Sequence, residues 1–94
     1  MSDMLHELEQ IILSRQAEMP TGSYTTTLFE AGTPKIAQKV GEEAAEVLVA
    51  SLAETRDEQV GELADLFYHT LVLMAQLGIS LADVEERLRE RHRK

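Results

Sequence analysis

Nine ionisable side chains in the middle of this 94-residue chain recur at spacings that could do chemistry. Lys35, Lys39, Glu42, Glu43 and Glu46 stand three or four positions apart, and at roughly 100° per residue they share one side of a helix. Glu58, Glu62, Asp65 and His69 form a second stripe, spaced four, three and four. Carboxylates at such spacings repel one another. Leu63, Ala64, Leu66, Phe67 and Tyr68 flank the second stripe, so part of it should be shielded from water, where repulsion grows. With few basic residues at hand, a divalent cation held by oxygen ligands resolves the conflict most economically. Bringing Glu43 and Glu46 opposite Glu62 and Asp65 would build a four-carboxylate cage. Oxygen-only donors suit Mg²⁺ or Mn²⁺ over softer metals.

Mg²⁺ usually keeps some waters and shares its remaining positions with substrate phosphates. An acidic site beside lysines therefore suits a polyphosphate. Lys35, Lys39 and the free amides at the start of their helix can hold phosphate oxygens. His69 reads as a hydrogen-bonded core histidine more readily than as a ligand, and Tyr68 as packing. A solvated face held by salt bridges is the plain alternative for residues 35–46. It explains the second stripe poorly.

The elements that must position these residues are all helical. Met4, Leu5, Leu8, Ile11 and Ile12 give residues 3–18 one apolar face, with Ser2 as the expected N-cap. Residues 19–33 read as the one long connection, with Ser23, Tyr24 and Thr25 in it and a short helical turn at 28–31. Thr33-Pro34 reads as the cap and first position of a helix running to about Glu54. Its expected inner face is Ile36, Val40, Ala44, Val47, Leu48 and Ser51. Gly41 either tolerates its place or admits a close neighbour. Thr55-Arg-Asp-Glu58 fits a capping box, opening a helix that Gly78 ends. Ser80 through Asp83 cap a last helix, with Leu81, Val84 and Leu88 turned inward. The reading is four helices and no strand.

Bulk properties narrow the function. Hydrophobic residues make up 44% of the chain and the net charge is −8. Residues 1–86 carry 4 basic against 16 acidic side chains, net −12, whereas 87–94 carry 5 against 1, net +4. An acidic body argues against nucleic acid as a partner, and the basic end complements a helix C-terminus. There are no cysteines for disulfides or thiolate metal sites. No apolar run reaches the roughly 20 residues of a membrane span, and the N-terminus is unlike a signal peptide. The chain is expected to be soluble and cytoplasmic. The stretch 63–77 is apolar on nearly every side, which predicts burial by self-association.

Glu42-Glu43-Ala-Ala-Glu46 with Glu62-Leu-Ala-Asp65 resembles the EExxE…ExxD signature of the all-α nucleotide pyrophosphatases, the MazG-like superfamily. Ser23-Tyr24-Thr25, Gly32, Lys39-Val-Gly41, Ala64, the run Leu66-Phe-Tyr-His69 and Leu71-Val-Leu73 extend the likeness to one branch, the phosphoribosyl-ATP pyrophosphatases of histidine biosynthesis. Ser51 and Gly61 depart from that branch, which often has a lysine and an acid there. The resemblance implies a single domain over 1–94, a four-helix chain forming an intertwined helical-bundle homodimer, and Mg²⁺-dependent hydrolysis of the α–β anhydride of phosphoribosyl-ATP. It carries Glu43, Glu46, Glu62 and Asp65 over as metal ligands. Glu42 becomes a further ligand or a water-orienting base, catalytic together with Glu43. Lys35, Lys39, Ser23, Tyr24 and Thr25 become substrate contacts. Two rivals are a house-cleaning nucleoside-triphosphate pyrophosphatase with the same cage, and a non-catalytic acidic helical dimerisation module.

Overall fold

The computed structural model describes residues 3–93. Among them run five helices and no strand: α1 (Met4–Glu18), α2 (Tyr24–Ala31), α3 (Thr33–Ala53), α4 (Arg56–Leu77) and α5 (Leu81–His92). The all-helical reading holds, and the helix count rises from four to five. The extra helix is α2, within the stretch read as a loop. Ser23 caps it by accepting from the Thr26 amide, and the Thr27 hydroxyl donates back to the Tyr24 carbonyl. Thr25, Thr26 and Leu28 are buried on it. Threonines with poor helix propensity are held helical by burial, which local composition could not reveal.

Two caps differ from expectation. Ser2 lies outside the described residues, and Asp3 caps α1 by accepting from the His6 amide. Gly32, not Thr33, stands at the cap of α3, and Thr33 begins the helix without a side-chain cap bond. Gly32 has φ 90° and ψ 176°, a region essentially closed to residues with a Cβ. That one residue both ends α2 and starts α3. Thr55 and Glu58 form the expected reciprocal box, and so do Ser80 and Asp83. Gly78 ends α4 in the left-handed conformation, with the Ile79 amide reaching back to the Met74 carbonyl.

α3 and α4 form an antiparallel hairpin. Its register is legible from pairs along it: Thr33 with Gln76, Ile36 with Val72, Glu43 with Glu62 and Asp65, and Ala50 with Gln59. α1 and α2 cover only the end holding Ile36, Leu71 and Val72, where Ile12 and Leu28 complete the core. Among the described residues, the other end of the hairpin has no covering layer, and Leu48, Leu52, Val60 and Leu63 are exposed there. The expected inner face of α3 is therefore only partly right. Ile36 is buried and Val40, Ala44 and Val47 are half-buried, but Leu48 is 67% exposed and Ser51 is exposed. Ala50 faces inward in their place. Leu81 is half-buried, while Val84 and Leu88 remain exposed. Nothing comes close to the position a Cβ would take at Gly41, so simple tolerance accounts for it.

α5 turns away from α4 by 104° and is tied to α1 by polar contacts. The Glu9 carboxylate accepts from the Leu81 amide at 2.7 Å, and His6 Nε2 lies 3.1 Å from both Glu85 oxygens. The Glu85 hydrogen bond, with the charges of Glu85, Asp3 and Glu9, raises the His6 pKa above 6.5 despite partial desolvation. The tie is thus fully present below the unfolded value and is lost as pH rises through the higher folded one. In chelator, His6→Gln should be less stable than the wild type at about pH 5.5, and the deficit should fade by about pH 9 in paired urea titrations.

Candidate active site

The antiparallel register sets residues 43–46 of α3 across from residues 62–65 of α4. Carboxylate oxygens of Glu43, Glu62 and Asp65 can all lie within 4.8 Å of one another. Glu43 and Glu62 are half-buried and Asp65 is exposed, so the expected shielding reaches Glu62 but not Asp65. Glu46 falls outside this triplet, yet its charge acts on Glu62. Desolvation first, then the charges of Glu46, Asp65, Glu43 and Glu54, raise the Glu62 pKa above the usual carboxylate value. The group is under electrostatic stress from four acidic neighbours, including Glu54, about two turns beyond Glu46.

Lys39 borders the cluster, its Nζ 3.6 Å from Glu42 and 3.8 Å from Glu43. Its pKa is raised chiefly by the nearby Tyr24 phenol, with Glu42 and Glu43 adding to this against desolvation. Glu42 moves the other way: the Gln38 amide at 3.1 Å, then Lys39 and Lys35, hold its carboxyl below the usual range. Lys35 itself is exposed on the first turns of α3.

Of the three hydroxyl residues singled out in the sequence, Ser23 serves as the α2 cap. The other two meet α4. Tyr24 Oη lies 3.0 Å from His69 Nε2, and Thr25 is hydrogen-bonded to the Tyr68 hydroxyl. His69 is buried, and its Nδ1 lies 2.7 Å from the Asp65 carbonyl one turn back. The reading of His69 as a bonded core histidine holds. Tyr68 does more than pack: its hydroxyl fixes α2 to α4, and burial raises its pKa above 10. The sequence signal for this contact was present in Tyr68-His69 following Asp65 by three and four positions. Without knowing that α2 is a helix lying against α4, nothing assigned those side chains to Thr25 and Tyr24.

A second group that could gather round a cation, Asp3, His6 and Glu85, is already accounted for as the α1–α5 tie. No single helix among the described residues is long and apolar enough to cross a membrane.

Such a hairpin, with carboxylate oxygens from both helices converging beside a lysine, defines an all-helical protein with a carboxylate-rich site. Residues 5–92 match the family described as phosphoribosyl-ATP pyrophosphohydrolase, and the chain belongs to that family. It is 56% identical over 91 residues to the phosphoribosyl-ATP pyrophosphatase of Metallosphaera sedula, covering 97% of this chain and 98% of that one. It is 48% identical over 93 residues to the protein of that name from Saccharolobus solfataricus, covering 99% and 98%. Against the histidine biosynthesis bifunctional protein HisIE of Photobacterium profundum it is 49% identical over 90 residues, 96% of this chain but 44% of that longer protein.

If the carboxylates are gathered against their mutual repulsion, removing one charge should relieve the fold. In chelator, Asp65→Asn should melt at the wild-type temperature or slightly above it. A carboxylate placed for stability would instead lower the melting temperature when replaced.

Proposed function

We propose that this chain hydrolyses the α–β phosphoanhydride of N1-(5-phosphoribosyl)-ATP to phosphoribosyl-AMP and pyrophosphate, in histidine biosynthesis. Family membership makes it a hydrolase acting on a pyrophosphate bond. The observation that carries the reading is the convergence of Glu43, Glu62 and Asp65 from two helices onto one point beside Lys39. Family membership favours phosphoribosyl-ATP over the substrates of a house-cleaning nucleoside-triphosphate pyrophosphatase. A non-catalytic dimerisation module would have no use for that convergence.

Glu43, Glu46, Glu62 and Asp65 are the proposed ligands of Mg²⁺, with Mn²⁺ as a substitute. The donor set fits: it is all oxygen and rich in charge, and it is stressed without a cation. When bound, such a cation neutralises the polyphosphate and stabilises charge developing on the departing pyrophosphate.

The chain's own residues supply the rest. Lys35, Lys39 and the free amides of the first turn of α3 hold phosphate oxygens. Glu42, favoured in its ionised form, accepts a hydrogen bond from the attacking water and orients it. The water oxygen forms the new bond to phosphorus, the bridging P–O bond breaks, and pyrophosphate leaves with the electron pair. Glu42 passes the water's proton to solvent. Glu43 is catalytic as well as a ligand, through its place between Lys39 and the cluster. Ser23, Tyr24 and Thr25 are the proposed substrate contacts at the start of α2, with Tyr24 the most exposed of the three.

The working unit is proposed to be a homodimer of one all-α domain spanning 1–94, acting in the cytoplasm. Support comes from the uncovered end of the hairpin, where Leu52 is 88% exposed beside Leu48, Val49, Val60 and Leu63. An apolar hollow of about 340 Å³ beneath Phe67, Met74 and Leu88 adds further uncovered surface. Apolar surface of this extent on a small chain is most simply buried by a second copy.

Product analysis with phosphoribosyl-ATP, ATP and dUTP should show pyrophosphate released fastest from the first, with none in excess EDTA and recovery on adding Mg²⁺. Asp65→Asn should lower kcat by at least about a hundredfold, since a lost ligand forfeits several kcal/mol of transition-state stabilisation. Equal turnover of all three substrates would favour the house-cleaning reading. Light scattering should give twice the 10.5 kDa chain mass, and a stable, active monomer would contradict the dimer.

A further inference from the structure

We infer that His69 is a positioning residue, which fixes the direction of the Tyr24 hydroxyl and holds the proposed substrate-contacting start of α2 against α4. This rests on the proposed hydrolysis and names a part of the site that neither the carboxylate signature nor the family match assigns.

Hydrogen-bond polarity carries the inference. His69 Nδ1 lies 2.7 Å from the backbone carbonyl of Asp65. A carbonyl only accepts, so Nδ1 carries the hydrogen. In the uncharged ring Nε2 then holds a lone pair and accepts. Tyr24 Oη, 3.0 Å from Nε2, must donate to it. With its one hydrogen committed to His69, the phenolic oxygen turns its lone pairs to its other neighbours. Tyr24 is 51% exposed, so those neighbours include whatever enters from solvent.

The ring of His69 has little freedom to do otherwise. It is 6% exposed and meets Tyr68 edge to face at 4.9 Å and Tyr24 at 5.8 Å. Thr25 and Tyr68 clamp the same two helices beside it. The contacts run from the Asp65 backbone to His69 and from His69 to Tyr24, so α4 at the level of the carboxylate cluster is joined to the start of α2. α2 bears the proposed substrate contacts and α4 bears Asp65, so this histidine holds the two in one register. With its hydrogen held by His69, the Tyr24 oxygen presents its lone pairs to donor groups of an incoming ligand. Loss of the Nε2 acceptor frees the Tyr24 hydroxyl to rotate and to donate elsewhere.

The test uses the full chain with Mg²⁺ and phosphoribosyl-ATP, comparing wild type, His69→Leu, His69→Gln, Tyr24→Phe and the double variant His69→Leu/Tyr24→Phe. Gln supplies an oxygen acceptor near the position of Nε2, whereas Leu supplies none. His69→Leu and Tyr24→Phe should each lower kcat/KM roughly tenfold, chiefly through KM, as expected for one lost oriented hydrogen bond. The double variant should be no worse than either single one, and His69→Gln should recover most of the loss. Nitrogen-15 NMR of the metal-free wild type should show His69 protonated at Nδ1 and bare at Nε2. Wild-type kinetics in a folded His69→Leu, additive losses in the double variant, or a hydrogen on Nε2 would each overturn the inference. If the wild type fails to hydrolyse phosphoribosyl-ATP, the proposed function falls, and the NMR readout still decides the orientation of Tyr24.

Discussion

Like charges held close together are the constraint on which the rest of this structure turns. Glu43, Glu62 and Asp65 can bring oxygens within 4.8 Å of one another, and Glu46 and Glu54 add their fields to Glu62. Nothing in helix propensity or packing gains from that arrangement, and in an isolated helix each such pair is unfavourable. The opposing work is done elsewhere. Antiparallel pairing of α3 and α4 is fixed by the core at Ile36, Leu71 and Val72, by the Thr55–Glu58 box at the turn and by Gln59 bonding to the Ala50 carbonyl. These contacts lie on both sides of the acidic level and hold it in register.

The same division explains why α2 matters. It contributes no carboxylate to the cluster, but it places Tyr24 against His69 and Thr25 against Tyr68. Its position depends on Gly32, whose backbone conformation lets α3 begin where α2 stops. A short helix packed across the hairpin thus brings hydroxyls to an acidic site through one residue of unusual φ. Lys39, within reach of Glu42 and Glu43, gives the site a positive edge.

Much of this was legible in the sequence, for identifiable reasons. The two stripes followed from 3.6-residue periodicity, and the bounds of α4 from a capping box and a glycine, all local signals. α2 was hidden because threonines in a breaker-rich stretch become helical only when Thr25, Thr26 and Leu28 are buried by other elements. The inner face of α3 was misjudged at Leu48 and Ser51 because one hairpin partner buries a narrower strip than a complete bundle would. Cap identities slipped by one residue at each uncertain helix start, the usual reach of local rules. Within the site, the proximity of Glu43, Glu62 and Asp65 was anticipated, whereas the bonds of Tyr68 and His69 to α2 required the tertiary arrangement.

The carboxylates of α3 and α4 are proposed to form one cation site. Titrating the metal-free protein with Mn²⁺ while observing side-chain carboxylate carbons by NMR tests this proposal most directly, because paramagnetic broadening falls off steeply with distance from the ion. At substoichiometric Mn²⁺ the signals of Glu43, Glu62 and Asp65 should broaden first, with Glu46 close behind, and excess Mg²⁺ should restore them. Broadening that begins at Asp3 and Glu85, or that spreads evenly over all surface carboxylates, would contradict the account.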